Sequence, residues 1–460
     1  MCLTAGFMTL LDTSIVNVAL PSMERGLQAS QADLSWVVSG YALTYGLALV
    51  PAGRLGDMWG RREVFLVGLA LFTVASAACG LAPGAAWLVI FRLLQGVAAG
   101  LVSPQVAGLI QQMFQGAERA RAFGMLGSTI GISTAVGPLA GGLLIQAFGT
   151  DTGWRWVFYV NIPIGAAALI AALRLLPARP PEQRRREGID PLGVLLLGAA
   201  VVAVMLPLVQ EQAWKGQAKW LFLPAGAVLL AAFWTWQRWQ RGRGRSPLVE
   251  PRLFALRSFS LGALLSLVYF GGFTTVFFIY TLFLQNGLGH TALQAGLAST
   301  PFAAGSALTA AVSGRLVVRF GRRLVVFALI GVAVGLLCTA GAVHLVPGRN
   351  AAWAAALPLL LAGLGSGLVI APNTTLTLSR VPVELAGAAS GVLQTAQRIG
   401  TAAGIAAVGA VFFAHVGNHD HWALALQLGL LTATLLVLAA LVCAVADLHT
   451  RRRAPETSAQ

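Results

Sequence analysis

Apolar residues in this chain run in long blocks, and polar residues gather in the short gaps between them. "PLGVLLLGAAVVAVMLPLV" from Pro191 and "ALQLGLLTATLLVLAALVCAVA" from Ala425 are examples. Each reaches the length, about 20 residues, at which a helix crosses some 30 Å of hydrocarbon. Blocks of this kind predict fourteen spans, at 3–21, 34–53, 63–82, 86–108, 121–147, 155–176, 190–209, 220–239, 258–284, 293–317, 323–345, 352–378, 388–413 and 422–446. The predicted class is an all-α integral membrane protein.

The polar gaps carry an independent check on that count. With the N-terminus inside, the inside loops collect 24 of the 31 basic residues, among them Arg54, Arg61, Arg62, Arg119, Arg121, the runs Arg174 to Arg186 and Arg238 to Arg257, and Arg451 to Arg453. Arg25, Arg155, Lys215, Lys219 and Arg349 fall outside, and Arg92 and Arg398 fall within spans. This bias orients a membrane protein, and one missed span would erase it. Both termini are therefore expected on the cytoplasmic face; Arg far outnumbers Lys and Ala and Gly are abundant, which points to a GC-rich bacterium and its cytoplasmic membrane.

Composition removes several classes of function. Only 10% of the 460 residues are charged, 57% are hydrophobic and the mean hydropathy is +0.77. A soluble domain carries about 25% charged residues. The net charge of +15 sits in loop clusters, which speaks for a membrane face and against nucleic acid. Cys2, Cys79, Cys338 and Cys443 lie in apolar blocks and show neither disulfide nor metal spacing. No nucleotide-binding P-loop, and no His, Asp and Glu cluster within the spans, supports an ATP-driven pump or an intramembrane enzyme. "HVGNHDH" (His415 to His421) reads as a solvated loop and not a metal site. No cleavable signal peptide is evident, and the first span starts so near residue 1 that a truncated N-terminus is an expectation.

Within the blocks there is a repeat. "GRLGDMWGRREVFL" from Gly53 and "GRLVVRFGRRLVVF" from Gly314 match in register across 261 residues. Duplicated membrane units are the usual build of secondary transporters. Asp57 of the first copy is Val318 in the second. A tight inside hairpin needs the glycines and arginines but not the acid, so Asp57 has a separate task.

These residues also carry a resemblance. "GRLGDMWGRR" resembles the loop motif between helices two and three of the major facilitator superfamily. "FRLLQGVAAG" (Phe91 to Gly100) and "GISTAVGPLAGG" (Gly131 to Gly142) are similar to its fourth-helix and fifth-helix antiporter motifs. "LDTSIVNVALP", "WRWVFYVNIPIG", "LQNGLGHTALQAGL" and "ASGVLQTAQRIG" resemble motifs of the fourteen-helix drug:proton antiporter branch, so the likeness covers the whole chain. It implies a major-facilitator-type fold with a six-helix bundle at 1–180, an inserted helix pair at 181–250, a second bundle at 251–447 and a cytoplasmic tail at 448–460. It also implies a monomer, driven by the proton gradient without cofactor or metal, that expels a hydrophobic compound, expected to be cationic. The alternative is a facilitator-type exporter of a neutral or anionic metabolite or lipid. A sensor or scaffold without turnover would need neither the repeat nor Asp57.

The candidate residues follow from cost. An acid at the centre of a span costs about 2.5–3.5 kcal/mol on insertion scales and is functional by default. Asp12 is the acid placed deepest, and burial favours its protonated form, so it is the candidate proton site. Arg92, with Gln95, Gly96 and Gly100 on its face, is the expected tuner of a nearby carboxylate, against the plainer possibility of snorkelling. Gly53, Asp57, Gly60, Arg61 and Arg62 form a candidate conformational latch, with Asp57 expected to meet a cation or a helix N-terminus of the other half. Gly131, Gly137, Pro138, Gly141 and Gly142 are candidates for a helix bend in the fifth span. Arg398 with Gln394 is a candidate for gating, and Arg398 needs an acceptor, carbonyl or acid. Asn17, Phe270, Phe273 and Phe277 are candidates for the substrate pocket, where aromatic faces suit flat cations.

Overall fold

The computed structural model describes residues 1–149, 151–176, 190–210, 214, 216–416 and 422–453. The Arg179 and Arg184 to Arg186 cluster, Lys215 and most of the "HVGNHDH" stretch lie outside the described residues. Fourteen helices are long and apolar enough to cross a membrane, and they match the predicted spans one for one. They are α1 (Cys2–Leu27), α2 (Gln31–Trp59), α3 (Arg61–Gly80), α4 (Ala85–Met113), α5 (Gly116–Phe148), α6 (Gly153–Leu175), α7 (Pro191–Val209), α8 (Phe222–Gly242), α9 (Arg257–Leu282), α10 (Ala292–Phe320), α11 (Arg322–Leu345), α12 (Ala356–Leu378), α13 (Ala386–Val416) and α14 (Trp422–Arg453). Among the described residues there is no strand. The outer wall is apolar, with Val74, Val228, Leu345 and Trp353 exposed, as a lipid-facing wall must be. α14 continues to Arg453, so the boundary expected at 447/448 falls inside a helix.

Local signals explain where helices start and break. Ser30 caps α2 by accepting from the Asp33 N–H at 3.2 Å, while Asp33 accepts from the Ser30 N–H at 3.0 Å. Thr291 and Gln294 make the same reciprocal box at the start of α10. Such boxes satisfy two orphan N–H groups of a first turn. Ser30 and Thr291 are separated by the same 261 residues as the loop repeat, so the duplication extends over the helix before it. Gly60, at φ 118°, and Gly321, at φ 54°, make the paired turns that follow, where a side chain would be strained. In α6, Pro163 has no N–H to give the Tyr159 carbonyl, and the helix is interrupted at Val160.

The two halves, α1–α6 and α9–α14, meet along two long helix pairs, α5 with α10 and α2 with α13. The glycines of α5 seat two neighbours. A β-carbon on Gly137 would lie 1.8 Å from the Ser14 Oγ of α1, and one on Gly131 would lie 3.0 Å from the Ala307 N of α10. Gly141 faces Ile15, whereas Gly142 faces open space and takes no part in the packing. Pro138 lies within an unbroken α5, on the side of Gly296 of α10.

The inserted pair leans on the bundle asymmetrically. α7 fills the lipid side of the α2–α13 groove, where Val201 and Met205 pack with Leu43 and Ala402. Polar bonds tie its end to α2: Gln210 donates to Ser39 Oγ at 2.8 Å and accepts from Ser35 Oγ at 3.1 Å. Asp190 holds α7 to α8. It caps α7 through the Gly193 N–H at 2.9 Å and accepts from Trp236 Nε1 at 2.9 Å and Gln237 Nε2 at 2.8 Å. Asp190→Ala leaves those buried donors unpaired and is expected to cost about 1–3 kcal/mol. Thermal unfolding in detergent measures this as a lowered midpoint, with a smaller loss in Trp236→Phe.

Candidate functional site

Asp12 lies on α1, 0% exposed, and its carboxylate is fully engaged. Arg92 Nη1 of α4 donates to Oδ2 at 2.6 Å. Gln95 Nε2 of α4 and Asn161 Nδ2 of α6 donate to Oδ1 at 2.9 and 3.0 Å. Arg92 is 1% exposed. It also donates from Nη1 to Gln95 Oε1 at 2.8 Å and from Nε to the Val37 carbonyl at 3.0 Å, and its guanidinium lies 4.1 Å from the centre of the Tyr41 ring. Asn161 donates further to Ser76 Oγ at 3.0 Å, and Ser76 to the Phe158 carbonyl at 2.9 Å. Arg92 therefore turns inward to the acid and does not snorkel.

Four helices close around this pair because small residues let them approach. A β-carbon on Gly96 would sit 2.5 Å from the Tyr41 carbonyl, and one on Gly100 would sit 2.5 Å from Ala48. α2 and α4 thus pack backbone to backbone. A buried ion pair is tolerated only when its remaining donors and acceptors are satisfied, and Gln95, Asn161 and Val37 do that. Asn161 and Ser76 were not among the predicted site residues. The interruption of α6 places Asn161 here, and the signal for it was an amide two residues before an intramembrane proline.

A second cluster sits where the basic loops gather. Asp57 Oδ1 accepts from the Gly387 N–H at 3.0 Å and Oδ2 from the Ala388 N–H at 2.8 Å. These are free N–H groups in the first turn of α13, in the other half, where the helix dipole favours an anion. Arg61 Nη2 reaches Asp57 at 2.8 Å and the Val383 carbonyl, and Nη1 reaches the Gly108 carbonyl at 2.8 Å. Gly53 permits the approach, since a β-carbon there would lie 2.2 Å from the Gly387 carbonyl. Gln111 adds a bond to the Leu378 carbonyl at 3.2 Å. The basic end of the bundle is shut in this arrangement. Gly60 contributes the turn. Arg62 is placed differently from expectation: it points to the Leu173 carbonyl of α6 in its own half, 3.2 Å away.

The remaining candidates divide. Among the described residues, Arg398 of α13 meets neither a carboxylate nor a carbonyl. Its guanidinium lies 4.3 Å from the centre of the Tyr45 ring of α2, so a π face takes the place of the expected acceptor. Gln394 bonds to Ser390 on its own helix at 3.0 Å. Phe270, Phe273 and Phe277 form a half-buried ring cluster with Tyr269 and Phe302, the Phe277 and Phe302 centres 4.9 Å apart, and Phe277 and Phe302 line a small cavity with Tyr280 and Ser299. Asn17 is exposed.

The second half carries more chemistry than the sequence suggested. Arg322, the repeat counterpart of Arg61, donates to Asp447 of α14 at 2.5 Å and to Asn373 of α12. Asn373 donates to the Gly262 carbonyl at 3.0 Å and to Ser266 at 2.9 Å. Arg61 meets Gln112 at 3.3 Å, and Gln112 and Asn373 again lie 261 residues apart. Asp12 is thus not the only deeply buried acid, since Asp447 is 1% exposed. Asp447 lies just past the end of the last predicted span, at 446, so the sequence places it at the inside face and not within a span.

Two six-helix halves related by a repeat, each with a buried interhelical ion pair, are the build of a secondary transporter. The chain belongs to the Major Facilitator Superfamily, whose family model matches residues 2–405. It is 36% identical over 422 residues to the "Probable actinorhodin transporter" of Streptomyces coelicolor, covering 90% of this chain and 72% of that protein. It is 35% identical to the "Tetracenomycin C resistance and export protein" of Streptomyces glaucescens over 90% of this chain and 76% of the relative. It is also 35% identical to the "Multidrug resistance protein Stp" of Mycobacterium tuberculosis over 89% and 74%. The human organic anion transporter MFSD10 shares the fold, with TM-score 0.68, 16% identity and coverage of 96% and 98%. The chain is a multi-pass membrane protein and not an enzyme.

Removing one partner of the Asp12–Arg92 pair leaves a buried charge uncompensated, which costs about 3–5 kcal/mol. Asp12→Ala is expected to lose thermal stability in detergent on that scale. Asp12→Ala combined with Arg92→Leu is expected to recover part of it, with a coupling of about 1–3 kcal/mol. Additive losses would disprove the pairing.

Proposed function

We propose that this protein expels a hydrophobic small molecule of the antibiotic or drug class across a bacterial cytoplasmic membrane in exchange for protons, with both termini cytoplasmic. The relatives are named as exporters and resistance proteins, which supports the direction and the kind of cargo. The observation that carries proton coupling is the Asp12–Arg92 pair, held at 2.6 Å away from water. When Asp12 takes a proton the pair loses its balance, so its charge state is tied to the packing of α1, α2, α4 and α6. Asp57 supports alternating access. Its bonds to α13 span the two halves, so they hold only while the basic end is shut, and they bias the two-state equilibrium.

The charge of the cargo is open to two readings. A cationic drug fits competition with a proton for a carboxylate. One observation favours neutral or anionic cargo: Asp12 is already occupied by three donors, while Arg398 has no hydrogen-bond acceptor among the described residues. A one-for-one exchange of a proton for a monovalent cation moves no net charge. Exchange for a neutral or anionic molecule does, at about 2.3 kcal/mol per charge per 100 mV.

Everted vesicles separate these readings. With ethidium as cation and a planar neutral or acidic dye as comparison, proton-driven uptake is expected in wild type, and an uncoupler abolishes it. Asp12→Asn is expected to reach the membrane and fall to the vector background, and full activity in that variant would overturn the assignment of Asp12. Collapse of the potential with valinomycin and potassium slows only electrogenic exchange. Asp57→Ala removes two charge-assisted bonds and is expected to shift the equilibrium toward opening at the basic end by about 1.5–3 kcal/mol. Faster labelling of a cysteine introduced at Ser390, buried on α13 just past Gly387 and Ala388, reports that shift.

A further inference from the structure

Two arginines from opposite halves flank one aromatic pair. Arg92 stands 4.1 Å from the centre of the Tyr41 ring, Tyr41 meets Tyr45 edge-on at 5.7 Å and 67°, and Arg398 stands 4.3 Å from the centre of the Tyr45 ring. Arg92, Tyr41 and Tyr45 belong to the first half and Arg398 to the second, so the stack crosses the α2–α13 contact. Laid end to end, its three steps limit the separation of the two guanidinium carbons to about 14 Å. The same helix pair carries Asp57 against Gly387 and Ala388 at its basic end. From there, Tyr45 is twelve residues along α2 and Arg398 about eleven along α13. One interface therefore holds both a terminal latch and a mid-membrane cation on a ring.

We propose that Tyr41 and Tyr45 carry the charge state of Asp12 to Arg398, so that proton binding in the first half loosens the α2–α13 contact. This rests on Asp12 being the proton site. With Asp12 ionised, the Asp12–Arg92 pair is neutral and Arg398 sits on Tyr45 unopposed. With Asp12 protonated, the Arg92 charge is uncompensated, and at 1% exposure water cannot screen it. Two like charges within about 14 Å then repel across the rings, a bias of roughly five- to tenfold in a two-state equilibrium at an effective dielectric near 20. Arg398 is half-buried and belongs to the other half, so separation of the halves is what relieves the repulsion.

The groups that surround Asp12 keep their charge over the range tested, and the other carboxylate on the α2–α13 contact, Asp57, is common to all the variants. The titratable or charged groups facing it are Arg92 from α4, Tyr41 from α2 and Cys79 from α3, and those around the ring pair are Asp12, Arg92, Tyr45 and Arg398. A phenol, a thiol and a guanidinium do not change charge between pH 5 and about 7.5. The direction suits an exchanger. The arrangement with its basic end shut is favoured while Asp12 is ionised, and a proton taken from the opposite side tips it toward the alternative. Tyr45 also holds α4 through its hydroxyl, 2.5 Å from Ser103 Oγ, which separates its ring from its hydrogen bond as objects of mutation.

The test uses the full-length protein in lipid nanodiscs, with Cys2, Cys338 and Cys443 replaced by Ser. Spin labels on Leu81→Cys and Leu345→Cys report the ends of α3 and α11 away from the basic end. Electron–electron distance distributions are recorded at pH 5 and pH 7.5. In wild type the minor distance population is expected to rise five- to tenfold at pH 5. Asp12→Asn, neutral at both pH values, is expected to hold the acid distribution throughout. Arg398→Gln, which removes one of the two charges, is expected to reduce the pH response below twofold; Tyr45→Leu, which removes the ring that holds Arg398 in place, is expected to reduce it, and Tyr45→Phe, which keeps the ring, to retain it. Arg398→Gln decides the matter should the Tyr45→Leu protein not fold. A full response in Arg398→Gln overturns the relay and leaves Asp12 as the proton site. A pH-insensitive wild type, or a full response in Asp12→Asn, overturns both.

Discussion

A charge cannot sit inside this bundle without a partner, and the Asp12–Arg92 pair is where that constraint is strictest. Both groups are dry. Their desolvation is offset only because α1, α2, α4 and α6 each bring a group to the pair. The helices of the first half are thereby held in one relative arrangement by electrostatics as well as by packing. Backbone-close contacts at Gly96 and Gly100, the interruption of α6 before Pro163 and the inward turn of Arg92 are arrangements that serve this compensation.

The same constraint is solved differently at the interface between halves. Asp57 is matched by the N-terminal N–H groups of α13, a partner that is lost when the halves part. Arg322 is matched within the second half by Asp447 and Asn373, three helices of one bundle. The duplicated arginines, Arg61 and Arg322, therefore have unequal work. The first takes part in a contact between halves, and the second ties α11, α12 and α14 into one body. The second copy has Val318 where the first has Asp57, so it lacks the carboxylate that makes the contact between halves. Arg398, compensated by a ring face and not by a carboxylate, is the least satisfied of these cations among the described residues.

Much of this was legible in the chain. Fourteen apolar blocks and the basic bias of alternate gaps fix the number of helices, because the bilayer core demands a minimum length. The 261-residue repeat and its one missing acid point to the two halves and to Asp57. Asp12 and Arg92 stand out by cost alone. Legibility failed where identity depends on who faces whom. Asn161 is one polar residue among many until the helix break aims it at Asp12. Arg62 sits beside Arg61 in sequence, yet a helix turns adjacent residues about 100° apart, and it faces its own half. Phe270, Phe273 and Phe277 share a face, and sequence cannot say that Phe302 of α10 meets it.

The sequence by itself therefore determined the solvent, the span count, the duplication and the residues too costly to be idle, since these follow from hydropathy and composition along one dimension. Only the tertiary structure decided the partners. It joined Asp12 to Arg92 across 80 residues, Asp57 to α13 across 330 and Arg322 to Asp447 across 125. Pairing across such separations is set by helix packing and by the need to neutralise each buried charge in three dimensions, neither of which is written in local pattern.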